Sequence, residues 1–219
     1  MVYGFSTCTE QDTKTWRCYN NHGNIVCRAI LSEMNAADFG VPQIRRRVFF
    51  VGFRSLSAFK QFTAPEPTHC WKHLGKLDHH LQTTLSFEVP KSNTMGVREA
   101  LGLVNIGFDS LAPTIRSGFT GKRNTTSILN SAAGQKSWAD LLIWPNGIQV
   151  NREKAAQFPA KSEHFRLAVQ DVALLQGFPE SWHFAGAVYQ ILGQIGNSVA
   201  PPIAYQVAKQ VAIALRASP

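Results

Sequence analysis

A chain of 219 residues with 44% apolar content can bury a core, and it is too apolar for disorder to be the default. Its formal charge of +8 favours a polyanionic partner, although a merely basic soluble protein would show the same balance. No apolar run approaches the ~18–20 residues of a membrane span, and MVYGFSTCTEQDTK has neither the basic start nor the apolar stretch of a secretory signal.

Residues 1–24 are polar and thinly patterned, with a turn signal at Asn20-Asn21-His22-Gly23. Cys8, Cys18, Cys27 and Cys70 form no Cys-x-x-Cys pair, so they read as reduced thiols of an intracellular protein. Ile25 to Leu31 fits a strand or a short helix equally well. A turn at Gly40 and Pro42 follows, then Gln43-Ile44-Arg45-Arg46-Arg47, then the unbroken apolar run Val48-Phe49-Phe50-Val51. That run is β-branched and aromatic without polar alternation, which predicts a strand buried on both faces of a parallel sheet. On an extended chain Arg45 and Arg47 share one side and Arg46 takes the other. A carboxamide and two guanidiniums at the mouth of a buried strand would make a donor-rich pocket wall; a solvated strand end carrying gatekeeper charges has the same pattern.

From Leu56 the composition turns irregular, with Pro65-Glu66-Pro67, the histidines at 69, 73, 79 and 80, and Pro90. Cys70 and His73 match no common zinc spacing, so no metal is expected. Val97 to Leu101 reads as a short helical turn. Residues 116–165 read as loop-like and hold the best nucleic-acid patch. Arg116, Lys122, Arg123, Lys136, Arg152, Lys154 and Lys161 outnumber the acids there, and Asn124, Thr125 and Thr126 stand beside the basics. A mobile solvated loop is the plain alternative. Val169 to Leu175 predicts a helix stopped by Gly177 and Pro179. Pro201-Pro202 opens another, over Ile203 to Leu215, whose apolar residues recur every fourth position. The strand candidates are too few to build a sheet, because the middle of the chain reads as loop.

Asn35-Ala36-x-Asp38-Phe39-Gly40-Val41-Pro42-Gln43-x-Arg45-x-Arg47 ahead of an apolar strand resembles the eighth conserved block of the DNA cytosine-5 methyltransferases. Pro113-Thr114-Ile115 is similar to a phrase in or beside that family's target-recognition region. Asp171-Val-Ala-Leu-Leu-Gln-Gly-Phe-Pro179 resembles the ninth block, and Ile195-Gly196-Asn197-Ser198-Val199 before Pro201-Pro202 resembles the tenth. The blocks come in family order and span about residues 25–55 and 97–215. Two departures occur in the ninth block: Ala168 replaces a Thr or Ser helix cap, and Gln170-Asp171 replaces an Arg-Glu pair, leaving Arg166 as the block's candidate arginine.

The resemblance implies an α/β fold: an incomplete Rossmann-like methyltransferase domain, made of a late strand and the C-terminal helix, with an irregular target-recognition domain inserted. The implied division is residues 1–55 catalytic, 56–165 recognition and 166–219 a return to the catalytic domain. It implies S-adenosyl-L-methionine as cofactor, bordered by Asn197 and Ser198. Arg47 would hold a flipped cytosine near O2, supported by Arg45 and Gln43. Thr114, Arg116, Lys122, Arg123, Asn124, Thr125 and Thr126 would contact double-stranded DNA. The implied setting is the bacterial cytoplasm, at the nucleoid, in a restriction-modification system and away from any membrane.

The family's nucleophile lies in a Pro-Cys loop, and no cysteine here follows a proline. The Glu-Asn-Val triplet and the Phe-x-Gly-x-Gly cofactor loop are also absent. The chain is therefore expected to be the C-terminal, target-recognition half of such an enzyme, inactive alone and completed by an N-terminal half or subunit. A non-enzymatic DNA-binding or regulatory derivative is the second reading. A free-standing enzyme using Cys8 or Cys27 is disfavoured, because nothing beside either thiol would lower its pKa.

Overall fold

The computed structural model describes residues 7–10, 15–20, 22–71, 91–117, 119–120, 123–124, 126–129, 131–158, 160 and 163–218. In chain order these form β1 (Thr7–Glu10), β2 (Thr15–Tyr19), β3 (Ile25–Asn35), a 3-10 turn (Ala36–Phe39), β4 (Arg46–Phe53), α1 (Leu56–Gln61), β5 (His69–Cys70), β6 (Ser92–Asn93) and α2 (Val97–Ala100). There follow β7 (Phe119–Thr120), β8 (Arg123–Asn124), α3 (Ala132–Asp140), β9 (Ile143–Gln149), α4 (Arg152–Gln157), β10 (Phe165–Ala168), α5 (Val169–Leu175), α6 (Val188–Asn197) and α7 (Pro201–Arg216). The chain is mixed α/β with small sheets, and it divides into two compact units. The first joins Met1–Met34, Arg46–Glu66 and Ile203–Pro219; the second joins Asn35–Arg45 and Pro67–Pro202.

The first unit is a sheet in the order β1-β2-β3-β4, with β1–β2 and β2–β3 antiparallel. Four expectations are corrected here. The polar N-terminus supplies two strands and the sheet does form. Its β1–β2–β3 portion is antiparallel rather than parallel, because the turn at Asn20–Gly23 folds β3 straight back on β2. Asn20 Oδ1 accepts from the amides of His22 and Asn24, both at 3.0 Å, and Gly23 takes φ 74°, which suits glycine. Ile25–Leu31 is thereby settled as strand. The register also sets Cys18 opposite Cys27, with Cα atoms 5.1 Å apart, and a disulfide joins them. The expectation of reduced thiols fails at that pair, and Cys70 is a free thiol.

The fourth correction concerns β4. Its burial alternates instead of being complete: Phe53 is buried and Val51 partly so, while Val48 and Phe50 are 55% and 59% exposed. Only one face is covered. Phe53, Ala58 and Phe62 pack with Ala214 of α7, flanked by Ile30, Val51, Phe59 and Val211. On the other face Phe50 meets the edge of Trp16, ring centroids 5.7 Å apart. In the described sheet β4 ends the strand order.

The second unit is built on a larger core, with Trp138, Leu141, Ile143, Ile148, Leu167, Leu175, Leu192 and Ile195 almost fully buried. The stretch 116–165, expected as loop, holds α3, β9 and α4. Local caps explain why. Ser131 Oγ accepts from the amide of Gly134 at 3.1 Å, and Asn151 Oδ1 from that of Lys154 at 2.9 Å. Each start is then anchored from within, by Trp138 at 1% exposure and by Ala155. β9 and β10 pair in parallel, with a break in register between Arg166 and Ala168. The helices expected at 97–101, 169–175 and 203–215 appear as α2, α5 and α7. Gly177 stops α5 with φ 88°, and a Cβ there would lie 2.9 Å from Pro202 Cδ.

Candidate active site and nucleic-acid interface

In the second unit Gln43 and Arg45 point inward. Gln43 is 0% and Arg45 1% exposed, whereas Ile44 between them is 49% exposed. A single parallel bridge, Gln43 to Ala112, holds this extended segment; the amide of Ile44 donates to Ala112 O at 2.8 Å. A buried guanidinium needs acceptors to replace water. Arg45 has them in the carbonyls of Ile115 at 3.0 Å, Gly196 at 2.7 Å and Ser198 at 2.9 Å. Gln43 Nε2 donates to Leu175 O at 3.1 Å and Gln176 Oε1 at 2.8 Å, and its Oε1 accepts from the Ile115 amide at 2.9 Å. These two buried side chains are taken up by backbone groups and by the Gln176 carboxamide instead of lining an open pocket wall. Arg47 belongs to the first unit, half-buried on β4, with Nη1 donating to Arg46 O at 2.7 Å. Beside it, Arg46 forms an exposed ion pair with Glu33 at 3.6 Å.

Asn197 ends α6 with its side chain exposed, and Ser198 follows half-buried. Ser198 Oγ donates to Ile195 O at 2.6 Å, and Gln176 Nε2 donates to Ser198 O at 3.2 Å. Gly196 is buried so closely against the backbone of Arg116 and Ser117 that a Cβ would lie 2.4 Å from Ser117 Cα. The turn is tightly packed at Gly196, and the Asn197 carboxamide beside it is exposed; a carboxamide can meet one polar edge of a nucleotide-like cofactor.

The basic patch is thinner than its sequence. Arg116 is exposed, and Thr114 Oγ1 donates to Ile44 O at 2.7 Å. The Arg123–Asn124 backbone pairs antiparallel with Phe119–Thr120, a short hairpin at the centre of the expected contact surface. Thr126 is half-buried, and its carbonyl accepts from the Ile148 amide at 2.9 Å. Lys122, Thr125 and Lys161 lie outside the described residues, as do the histidines at 73, 79 and 80. Arg152 is corrected from DNA-facing base to structural partner: Nε and Nη2 bind buried Asp171 at 2.8 and 2.7 Å, and Nη2 donates to Leu101 O. Lys136 pairs with Asp140 at 2.8 Å. Arg166 spans the carbonyls of Phe158, Asn146 and Gly147.

Among the described residues, three buried polar side chains carry no role in the sequence reading: Gln176, Arg98 and Thr94, whose Oγ1 donates to Ala37 O at 2.7 Å. Gln176 is fully buried, and its signal is a carboxamide inside the apolar run just before a helix-stopping glycine. Arg98, 8% exposed, donates to Leu141 O at 2.7 Å and twice to Val104 O. Nothing around Arg98 in the sequence singles it out.

The family model described as C-5 cytosine-specific DNA methylase matches residues 29–212. Among curated relatives, the Type II methyltransferase M.NaeI of Lentzea aerocolonigenes is 29% identical over 187 residues, covering 83% of this chain and 40% of the relative. Type II methyltransferase M.NgoMIV of Neisseria gonorrhoeae is also 29% identical, with 83% and 53% covered. Type II methyltransferase M.HhaI of Haemophilus parahaemolyticus is 24% identical, with 85% and 54% covered. The chain thus spans about half the length of these relatives. With the family match running through most of its length, the chain belongs to the C-5 cytosine-specific DNA methylases, a family that takes its methyl group from S-adenosyl-L-methionine.

Proposed function

We propose that this chain is the C-terminal, target-recognition half of a DNA (cytosine-5-)-methyltransferase, inactive alone and completed by an N-terminal half. The observation that carries this reading is a family match over residues 29–212 in a sequence where no cysteine follows a proline. The exposed apolar residues on one face of β4 support it, since Val48 and Phe50 beside Trp16 leave that face wanting a partner.

Attack at C5 of cytosine needs a nucleophile added at C6, because the ring is otherwise unreactive there, and the base must first leave the stack. The partner brings the thiolate. S-adenosyl-L-methionine, when bound, supplies the methyl group. This chain's part is to orient. Arg47 sits on a strand and stays charged, so it can hold the base's O2 and stabilise charge that grows in the ring. Gln43 and Arg45 support the site by fixing its backbone. Asn197 and Ser198 form an edge of the cofactor site, and the Thr114–Thr126 segment, with Arg116, Lys122, Arg123, Asn124 and Thr125, contacts duplex DNA. Functionally, residues 1–55 and 166–219 serve catalysis and 56–165 recognition.

Co-expression with an N-terminal methyltransferase half, followed by bisulfite sequencing, tests the reading. Methylated duplex DNA is expected from the pair and none from this chain alone. In the active pair Arg47→Lys should lower kcat by roughly 10²-fold, the scale for losing one oriented transition-state donor. Methyl transfer by the purified chain alone would overturn the split. DNA binding with no methylation by any pairing would favour a non-enzymatic DNA-binding protein, a reading to which the missing nucleophile also points.

A further inference from the structure

Gln176 follows the last residue of α5, and both ends of its carboxamide are engaged in a fully buried setting. The orientation of the whole chain of bonds follows from its fixed ends. Leu175 O can only accept and the Ile115 amide can only donate, so Gln43 must turn Nε2 to the first and Oε1 to the second. The second proton on Gln43 Nε2 then requires an acceptor, which is Gln176 Oε1 at 2.8 Å. Gln176 Nε2 is left to donate, and it reaches Ser198 O at 3.2 Å and Ser198 Oγ at 3.3 Å. Arg45 closes the circuit from the other side by binding Ile115 O, Gly196 O and Ser198 O. Segments far apart in sequence are thereby joined by buried side chains, and Gly196 allows them to touch through backbone at Ser117.

We propose that Gln176 is a positioning residue that locks the Gly196–Ser198 turn to Thr114–Ile115, so that ordering one segment orders the other. On the proposed function, the first segment edges the cofactor and the second opens the DNA-recognition region. The lock would then make cofactor and DNA binding cooperative. The physical basis is asymmetry: removing one member of a buried pair leaves its partner unsatisfied, and the damage travels to whatever that partner was holding.

Hydrogen exchange on the full chain tests the lock without any need for activity. Gln176→Met keeps the volume and removes both bonds. It should speed amide exchange in residues 113–117 and 195–200 together, by about tenfold, while β2 and β3 stay unchanged. Acceleration confined to 195–200, or equal acceleration throughout the chain, would overturn the proposal. Should Gln176→Met not fold, Gln43→Met cuts the same circuit from the Ile115 side. Acceleration that reaches 195–200 then supports the lock, and acceleration limited to 113–117 sinks it. The double variant should lose less than the sum of the singles, because the Gln43–Gln176 bond is lost only once and neither carboxamide is left without the other. In the paired enzyme, cofactor affinity measured with and without DNA should differ less for Gln176→Met than for the parent, an effect that simple loss of stability would not produce. Coupled exchange in a chain that never supports methylation would leave the lock standing and defeat the proposed function.

Discussion

A carboxylate removed from water needs a partner, and Asp171 has two. One oxygen takes the Arg152 guanidinium and the other accepts from the amide of Ala168 at 2.7 Å, the half of a capping box that runs from the third helical residue back to the cap; Ala168 has no side-chain oxygen for the other half. Arg152→Met should therefore destabilise the chain by about 2 kcal/mol, below the ~3–5 kcal/mol of a fully enclosed pair because the arginine side chain is 43% exposed. Urea unfolding would measure it, and an unchanged midpoint would show the pair to be idle. The sequence announces Arg152 only as one more positive charge in a basic run. Its acceptor lies nineteen positions away and is reached only when α4 and α5 are packed. Gln43 and Arg45 have the same history: their alternation with Ile44 is legible from an extended chain, but which side faces inward is not.

Element by element, local signals succeed where the determinants are local. Turn residues at Asn20–Gly23 and the stop at Gly177 lie within a few positions of the backbone they control. The apolar repeat of α7 fails more subtly. Residues four apart drift by about 40° per step on a helix of 3.6 residues per turn. A row through Ile203, Val207, Val211 and Leu215 thus rotates about 120° from end to end. Ile203 is buried and Leu215 is 54% exposed, while Ala214 takes the covered position beside Phe53 and Phe62. Leu215→Lys is accordingly expected to change stability by less than about 0.5 kcal/mol. Ala214→Leu should cost about 1–3 kcal/mol by overpacking. Thermal unfolding of the two variants compares them directly, and the reverse ranking would refute the helix's orientation.

For the molecule as a whole, the uncovered face of β4 matters most. Phe50→Lys places charge at a position already 59% exposed, so the chain's own stability should hold within about 0.5 kcal/mol. On the proposed function, pairing with an N-terminal half should be lost, read as failure to co-purify; undiminished co-purification would rule out this face as the pairing surface. On the proposed function, DNA binding should weaken steeply as salt rises, but with a slope set by fewer phosphate contacts than the basic residues of 116–165 would supply, because Arg152 is engaged with buried Asp171. Titration at several salt concentrations checks this. A slope that needs every basic residue of that stretch would contradict the internal pairing.

By itself the sequence determined the family and the order of its blocks, because those depend on short strings whose chemistry is local: a turn, a cap, a row of arginines before a strand. It also shows that none of its four cysteines follows a proline. Only the tertiary structure decided which polar side chains are spent inside and which face of β4 is left bare. Burial is a property of what packs on a residue, and the residues that bury Gln43, Arg45 and Asp171 come from parts of the chain remote from them in sequence.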